Sequence, residues 1–207
     1  VSKVASRQLV IDADVARAAG DSPDATGASK ACRDFLQAVL EVCHHAVWTP
    51  AIAAEWKRHA SRFSRKWRVQ MAARRKLDEC VPNVVPGLEQ RILSANPAGL
   101  NPDSIRKDLH LVYAALETAG PVASHDDAIR RRLAVAVPRA PELRSLVWID
   151  PAPPMPKPLN GSTKEHRFRR SVCSATRQTR SEAPAKREHQ ADLALALFED
   201  FNHWPAF

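Results

Sequence analysis

Apolar positions in the first 150 residues recur in two ways, as short unbroken runs and as longer stretches spaced three and four apart. That alternation predicts an α/β fold in which crossover helices connect the strands of a parallel sheet. Residues 8–11 (QLVI) form a short apolar run that ends in aspartate, which predicts a buried first strand. Over residues 29–43, Phe35, Leu36, Val39, Leu40 and Cys43 fall on one helical face. Residues 46–48 predict a second strand, and Thr49 with Pro50 then supplies an N-cap and a first-turn proline for a helix that runs through Glu55. A further helix is expected over residues 104–119, with Ser104 as cap and Gly120 as terminator, followed by a third strand at 121–124. Residues 144–149 (RSLVWI) read as the closing strand.

The pattern breaks at Pro151, where PAPPMPKP places five prolines in eight residues, a composition that neither a helix interior nor a central strand accepts. Two regions follow, a domain over 1–150 and a linker and tail over 151–207. In the tail, residues 164–180 are basic and rich in Ser and Thr, which predicts disorder, while Leu193, Leu197, Phe198 and Phe201 predict a short helix over 189–201.

With 207 residues, 44% hydrophobic and 26% charged, the chain has the composition of a globular protein. No apolar run approaches the length of a membrane span, and the N-terminal apolar stretch is too short for a signal-peptide core, so a cytoplasmic protein without membrane contact is expected. A net charge of +8 and a pI near 9.7 favour a polyanionic partner such as nucleic acid. The four cysteines show neither a CxxC pair nor zinc-ribbon spacing and read as reduced thiols.

In open parallel sheets the ligand crevice lies beyond the carboxyl ends of the strands, which gives weight to acids at those points. Asp12 ends the first strand and Asp126 follows the predicted 121–124 strand. Glu55 lies about one turn into the helix that starts directly after the second strand, and Asp108 lies in the first turns of the 104–119 helix, positions from which both can point back to the same crevice.

The segments VIDADV, TPAIAAEW, KDLHLVYAAL and VASHDD, in that order over about residues 7–150, resemble the PIN-domain ribonucleases, including the VapC-type toxins. The resemblance implies a three-layer α/β/α domain with a central parallel sheet and a metal site formed by Asp12, Glu55, Asp108 and Asp126, with Ser124 as the hydroxyl that accompanies the last acid. It also implies metal-dependent endonuclease cleavage of RNA, and brings a cognate antitoxin and a homodimer into view as partners. The tail and the long basic stretch after Glu55 depart from the compact toxins.

Four carboxylates in one crevice repel each other, and an all-oxygen donor set of this number suits Mg²⁺ or Mn²⁺. Asp14 is placed to orient a water or a second ion, or to cap the next turn, and Asp127 to open the helix DAIRRRLAVA. Residues 57–76 hold nine Lys or Arg and no acid. Arg58, Arg62, Arg65, Lys66 and Arg68 are the expected RNA-backbone contacts, while Phe63, Trp67 and Met71 at helical spacing read as core. His59, four residues after Glu55, shares its helical face and is a candidate contact to substrate phosphate. His44, His45 and His110 read as structural, and the Arg130–Arg132 triplet as either phosphate-binding or a solvated helix face.

Two other functions compete. A non-catalytic RNA-binding PIN domain would tolerate loss of an acid, and all four are present. A haloacid-dehalogenase-like phosphatase would use Asp12 as nucleophile, Asp14 as acid/base, Thr49 as a strand-end hydroxyl and a lysine from elsewhere, and leaves Glu55 and Asp108 without a role.

Overall fold

The computed structural model describes residues 6–22, 26–42, 44–96 and 101–152. The expected tail, with its basic stretch and the helix over 189–201, lies outside the described residues.

The chain is an α/β domain built on five parallel strands, β1 (Gln8–Ile11), β2 (His45–Trp48), β3 (Leu77–Glu79), β4 (Val122–Ala123) and β5 (Trp148–Ile149). They lie in the order β3-β2-β1-β4-β5. Helices flank the sheet: α1 (Ala13–Ala18), α2 (Gly27–Glu41), α3 (Pro50–His59), α4 (Arg62–Ala73), α5 (Leu88–Ala95), α6 (Asp103–Arg106), α7 (Leu109–Thr118) and α8 (Asp127–Ala136). β1 is central, with Leu9, Val10 and Ile11 fully buried, as its unbroken apolar run dictates. The order of connections reverses beside it, since β1 leads to β2 on one side and β4 lies on the other. That makes the gap beyond β1 and β4 the switch point where such sheets bind ligands.

Thr49 and Pro50 open α3 as expected, with Thr49 Oγ1 accepting a hydrogen bond from the Ile52 amide at 3.2 Å. Four other elements differ from the sequence reading. The single helix over 104–119 is two, α6 and α7, separated by a turn at Lys107 and Asp108; Ser104 lies inside α6, and its hydroxyl donates to the Asn101 carbonyl at 2.6 Å. The left-handed residue that ends α7 is Ala119, φ 51°, and not Gly120; glycine is required at 120 because a Cβ there would meet the Gln8 carbonyl oxygen at 2.5 Å. The 144–149 strand shortens to β5, because residues Pro141–Ser145 wind into a 3₁₀ turn. β3 was not expected, so the 121–124 strand is the fourth in the chain, reduced to β4.

A tryptophan column joins the helices to the sheet. Trp48 and Trp56 lie with ring centroids 5.4 Å apart, and Trp56 and Trp67 5.6 Å apart. The Trp56 indole donates to the Ile11 carbonyl at 3.0 Å, and the Trp67 indole to the Leu36 carbonyl at 2.5 Å. Trp67 and Met71 are buried and Phe63 partly so, which confirms that the apolar stripe of residues 57–76 is core. Short α1 is fixed by α4, whose Ser61 amide and Ser64 hydroxyl both donate to the Ala16 carbonyl, at 3.1 and 2.7 Å. Among the described residues no helix is long and apolar enough to cross a membrane.

Candidate active site

The registers Val10↔Val122 and Ile11↔Ala123 carry β1 and β4 to the same level, so that Asp12 and Ser124 leave the sheet side by side. Ser124 Oγ donates to Asp12 Oδ2 at 2.8 Å, and the Asp12 amide donates to the Ala123 carbonyl at 3.0 Å. Asp12 also caps α1, its Oδ1 accepting from the Asp14 amide at 3.3 Å. Asp126 caps α8 through Oδ1, which accepts from the Ala128 and Ile129 amides at 3.0 Å each. Its second oxygen, Oδ2, faces the Lys107 ammonium at 3.6 Å.

The outcome is a polar cavity of ≈ 490 Å³ beyond β1 and β4. All four sequence-derived acids line it: Asp12 from the end of β1, Glu55 from α3, Asp108 from the turn before α7 and Asp126 from the start of α8. The turn that splits the expected 104–119 helix is what sets Asp108 at the N-terminus of α7 and leaves the neighbouring Lys107 exposed beside it. His59, Asp14 and Asp127 line the cavity as well, with Arg17 and Lys107 adding positive charge.

Asp14 does not cap the turn that follows it. Its Oδ2 reaches across to the β4 end, where it accepts from the His125 amide at 2.9 Å and lies 3.2 Å from the Ser124 hydroxyl oxygen, while its Oδ1 is buried without a hydrogen bond. Burial, reinforced by the charge of Asp12, pushes the Asp14 carboxyl up to about 6. Asp108 behaves alike: burial, together with the charges of Asp12 and Asp126, raises its carboxyl to about 6 against the pull of Lys107. Asp108 Oδ2 is buried without a hydrogen bond, and the Lys107 ammonium lies 3.5 Å from it and 3.6 Å from Asp126 Oδ2. Burial disfavours the Lys107 charge, but Asp108 and Asp126 outweigh that and raise its pKa. Asp127 pairs with Arg130 and Arg131 of its own helix, and Arg130 holds its carboxyl low. Arg132 Nη1 donates to Ser104 Oγ at 3.1 Å, so the arginine triplet supports local structure.

Three site residues escaped the sequence reading. His110, expected to be structural, places Nε2 3.3 Å from Glu55 Oε2 without a hydrogen bond, while its Nδ1 lies 2.8 Å from the Lys107 carbonyl, so its ring sits where α7 meets α3, between two of the acids. His125 lines the cavity with its ring held between Asp150 Oδ1, 2.5 Å from Nδ1, and Cys32 Sγ, 2.8 Å from Nε2. Burial, with the charges of Asp14 and Asp150, pushes the Cys32 thiol up to about 12, so it stays a neutral hydrogen-bond partner and no nucleophile. Asp150, at the end of β5, also accepts from the Ala152 amide at 2.9 Å. A histidine followed by two aspartates has no periodic signal, and the pairing of Cys32 with His125 spans 93 positions, so neither could be read locally.

The basic stretch also divides. Arg74 and Lys76 donate to the Leu40 carbonyl at the end of α2, at 3.3 and 3.0 Å, and are structural. Arg58, Arg62, Arg65, Lys66 and Arg68 are exposed, and among the described residues none of them is paired with a carboxylate.

Among the described residues no three His, Cys, Asp or Glu side chains stand close enough to chelate an ion. The donor chemistry nonetheless fits a hard divalent cation: oxygen ligands only, buried carboxylate oxygens without hydrogen bonds, and an ammonium between two acids where positive charge is needed. An α/β domain with an acidic crevice at the switch point of a parallel sheet is the class that fold and site define. Compared with models of protein families, with curated proteins and with solved structures, the chain matches none.

Proposed function

We propose that the protein is a metal-dependent endoribonuclease that hydrolyses RNA phosphodiester bonds with Mg²⁺ or Mn²⁺. The observation that carries this reading is the convergence of Asp12, Glu55, Asp108 and Asp126 from four separate elements on one cavity at the sheet's switch point. These four would hold the ion. When bound, it would offset their mutual repulsion, polarise a phosphate oxygen and make an attacking water more acidic.

The chain's own groups prepare that site. Ser124 fixes the rotamer of Asp12, and the α8 cap fixes Asp126 with Oδ2 toward Lys107. His110 packs its ring beside Glu55, and the hydrogen bond from the His125 amide to Asp14 fastens α1 to the β4 end. The Lys107 side chain, 58% exposed, can withdraw from the acids and meet a substrate phosphate at the rim, where Arg17 and His59 also stand. Arg58, Arg62, Arg65, Lys66 and Arg68 supply a basic surface along α3 and α4 for the RNA backbone. The resemblance to VapC-type toxins adds the proposals of a toxin role, a cognate antitoxin and a homodimer, and the sparse cysteines that of a cytoplasmic location.

The phosphatase reading has one observation in its favour, the Asp14 carboxyl raised to about 6, suited to an acid that protonates a leaving group. Against it, Thr49 is engaged in capping α3 and does not line the cavity, and Glu55 and Asp108 do. A covalent aspartyl-phosphate on Asp12 after incubation with a phosphomonoester would establish that reading. Incubation of single-stranded RNA with the protein in Mg²⁺, in Mn²⁺ and in EDTA tests the first: internal cleavage in either metal and none in EDTA is expected, and intact RNA in all three would refute it.

A further inference from the structure

On the flank of α3 away from the acid cavity lies a second cleft, of ≈ 510 Å³, between α3 and α4. Helical spacing divides the two: Glu55 and His59, four apart, face the acids, whereas Ala53 and Lys57, also four apart, face the cleft. Arg58 is exposed on the outer crest between them. Ala53, Ala54 and Ala60 make a small-residue floor, and Lys57, Arg65 and Arg68 stand around it. Trp56 lies below, only 2% exposed, so the floor is apolar without offering a ring face.

Two of the cations are already ordered. Arg65 Nε donates to the Ala60 carbonyl at 3.0 Å, which leaves its terminal nitrogens available, and the Arg68 guanidinium lies over the Trp48 ring, 5.8 Å from its centroid. Among the described residues no carboxylate pairs with Lys57, Arg65 or Arg68. A concave apolar floor with a rim of preorganised, uncompensated cations complements a ligand that is both flat and anionic.

Resting on the ribonuclease reading, we infer that this cleft is a nucleotide subsite for single-stranded RNA: it holds one base on the alanine floor, with Arg65 and Arg68 on the phosphates that flank it and Lys57 at the adjoining rim, while the strand crosses α3 over Arg58 to the acid cavity. The crossing spans about one helix width, about 10 Å, a few nucleotides of strand. Only an unpaired strand can bend over that crest and offer a free base face, since in a duplex the bases are stacked and paired.

The full chain in EDTA, where cleavage is silent, separates this from the catalytic reading. Binding of a fluorescein-labelled single-stranded 12-mer is measured by anisotropy against the blunt duplex of the same sequence, for the wild type, for Ala54→Trp and for Arg65→Gln/Arg68→Gln. Ala54 is exposed on α3, so the indole fills the cleft without entering the core. The wild type should prefer the single strand. Ala54→Trp should weaken single-strand binding about tenfold or more and leave duplex binding unchanged, and the double variant should lower the salt slope by about 1.4, the value for two phosphate contacts on a single strand. Wild-type-like single-strand affinity in both variants overturns the subsite, as does displacement of the 12-mer by an acidic peptide more readily than by unlabelled RNA, or a dimer that Ala54→Trp dissociates. If binding follows the cleft but no divalent ion yields cleavage, the ribonuclease reading fails and the subsite stands; if RNA is cleaved but binding ignores the cleft, the reverse holds.

Discussion

Asp108 shows how one side chain reports the need of the whole site. Its carboxyl is 13% exposed, has one oxygen without a hydrogen bond and sits near two further acids, so its charge is costly in the folded chain. Asp14 shares the condition. A carboxyl near 3.8 when unfolded and about 6 when folded binds more protons in the native state across that interval, so stability falls as pH rises from about 4 through 6 and the full cost is present above 6. In EDTA the protein should therefore melt several degrees higher at pH 5 than at pH 7, a difference of about 1 to 3 kcal/mol. Asp108→Asn should raise the pH 7 melting temperature and flatten this dependence, and Mn²⁺ at pH 7 should raise it in the wild type only. Equal melting temperatures for the two proteins at pH 7 in EDTA would contradict the strain assigned to Asp108.

A second residue-scale prediction concerns Asp150, which holds the ring of His125, the residue whose backbone amide donates to Asp14. Asp150→Ala should lower kcat about tenfold with KM unchanged, as loss of a group that positions a site from its second layer commonly does, and Asp150→Asn, which keeps an acceptor, should restore most of it. Steady-state cleavage kinetics decide: equal defects in both variants would mean that charge, not positioning, is what Asp150 supplies.

At the scale of elements, α3 is the piece on which both faces of the site depend. Trp56 binds it to the carbonyl of Ile11, the residue before Asp12, and so couples the placement of Glu55 to the end of β1. Trp56→Phe keeps most of the buried ring but leaves that carbonyl unsatisfied, which should cost about 1–3 kcal/mol in chemical denaturation. A variant as stable as the wild type would show that the indole bond contributes nothing to this junction. The elements also show what a sequence can and cannot disclose. β1 and α3 were legible because each carries a complete local signal, an apolar run ending in aspartate and a Thr-Pro cap. β3 was not, because an edge strand reading Leu77, Asp78, Glu79 buries too little to need an apolar run. The break before α7 was hidden because Ile105 and Leu109 continue a helical period straight through the turn, and only tertiary packing separates them. The four acids could be found because strand ends and helix starts mark them, whereas His110, His125 and Asp150 acquire their roles from partners distant in the chain.

For the whole molecule, the sheet order places its ligand crevice where β1 and β4 part, and every candidate ligand precedes residue 127. Residues 155–207 should then be dispensable for cleavage. A chain ending at residue 154 keeps the Ala152 amide on Asp150, which one ending at Asp150 would lose. It should fold by circular dichroism and cleave RNA within about threefold of the full chain. A folded but inactive product at saturating metal would place part of the enzyme beyond residue 154.

The central claim, that four convergent carboxylates hold the ion that drives RNA cleavage, meets its most direct test in one variant. Asp108→Asn preserves size and removes one charge at the turn before α7. Cleavage of single-stranded RNA at saturating Mn²⁺ by the full-length variant should fall at least about a hundredfold while its circular dichroism stays that of the wild type. Undiminished cleavage by the folded variant would contradict the account.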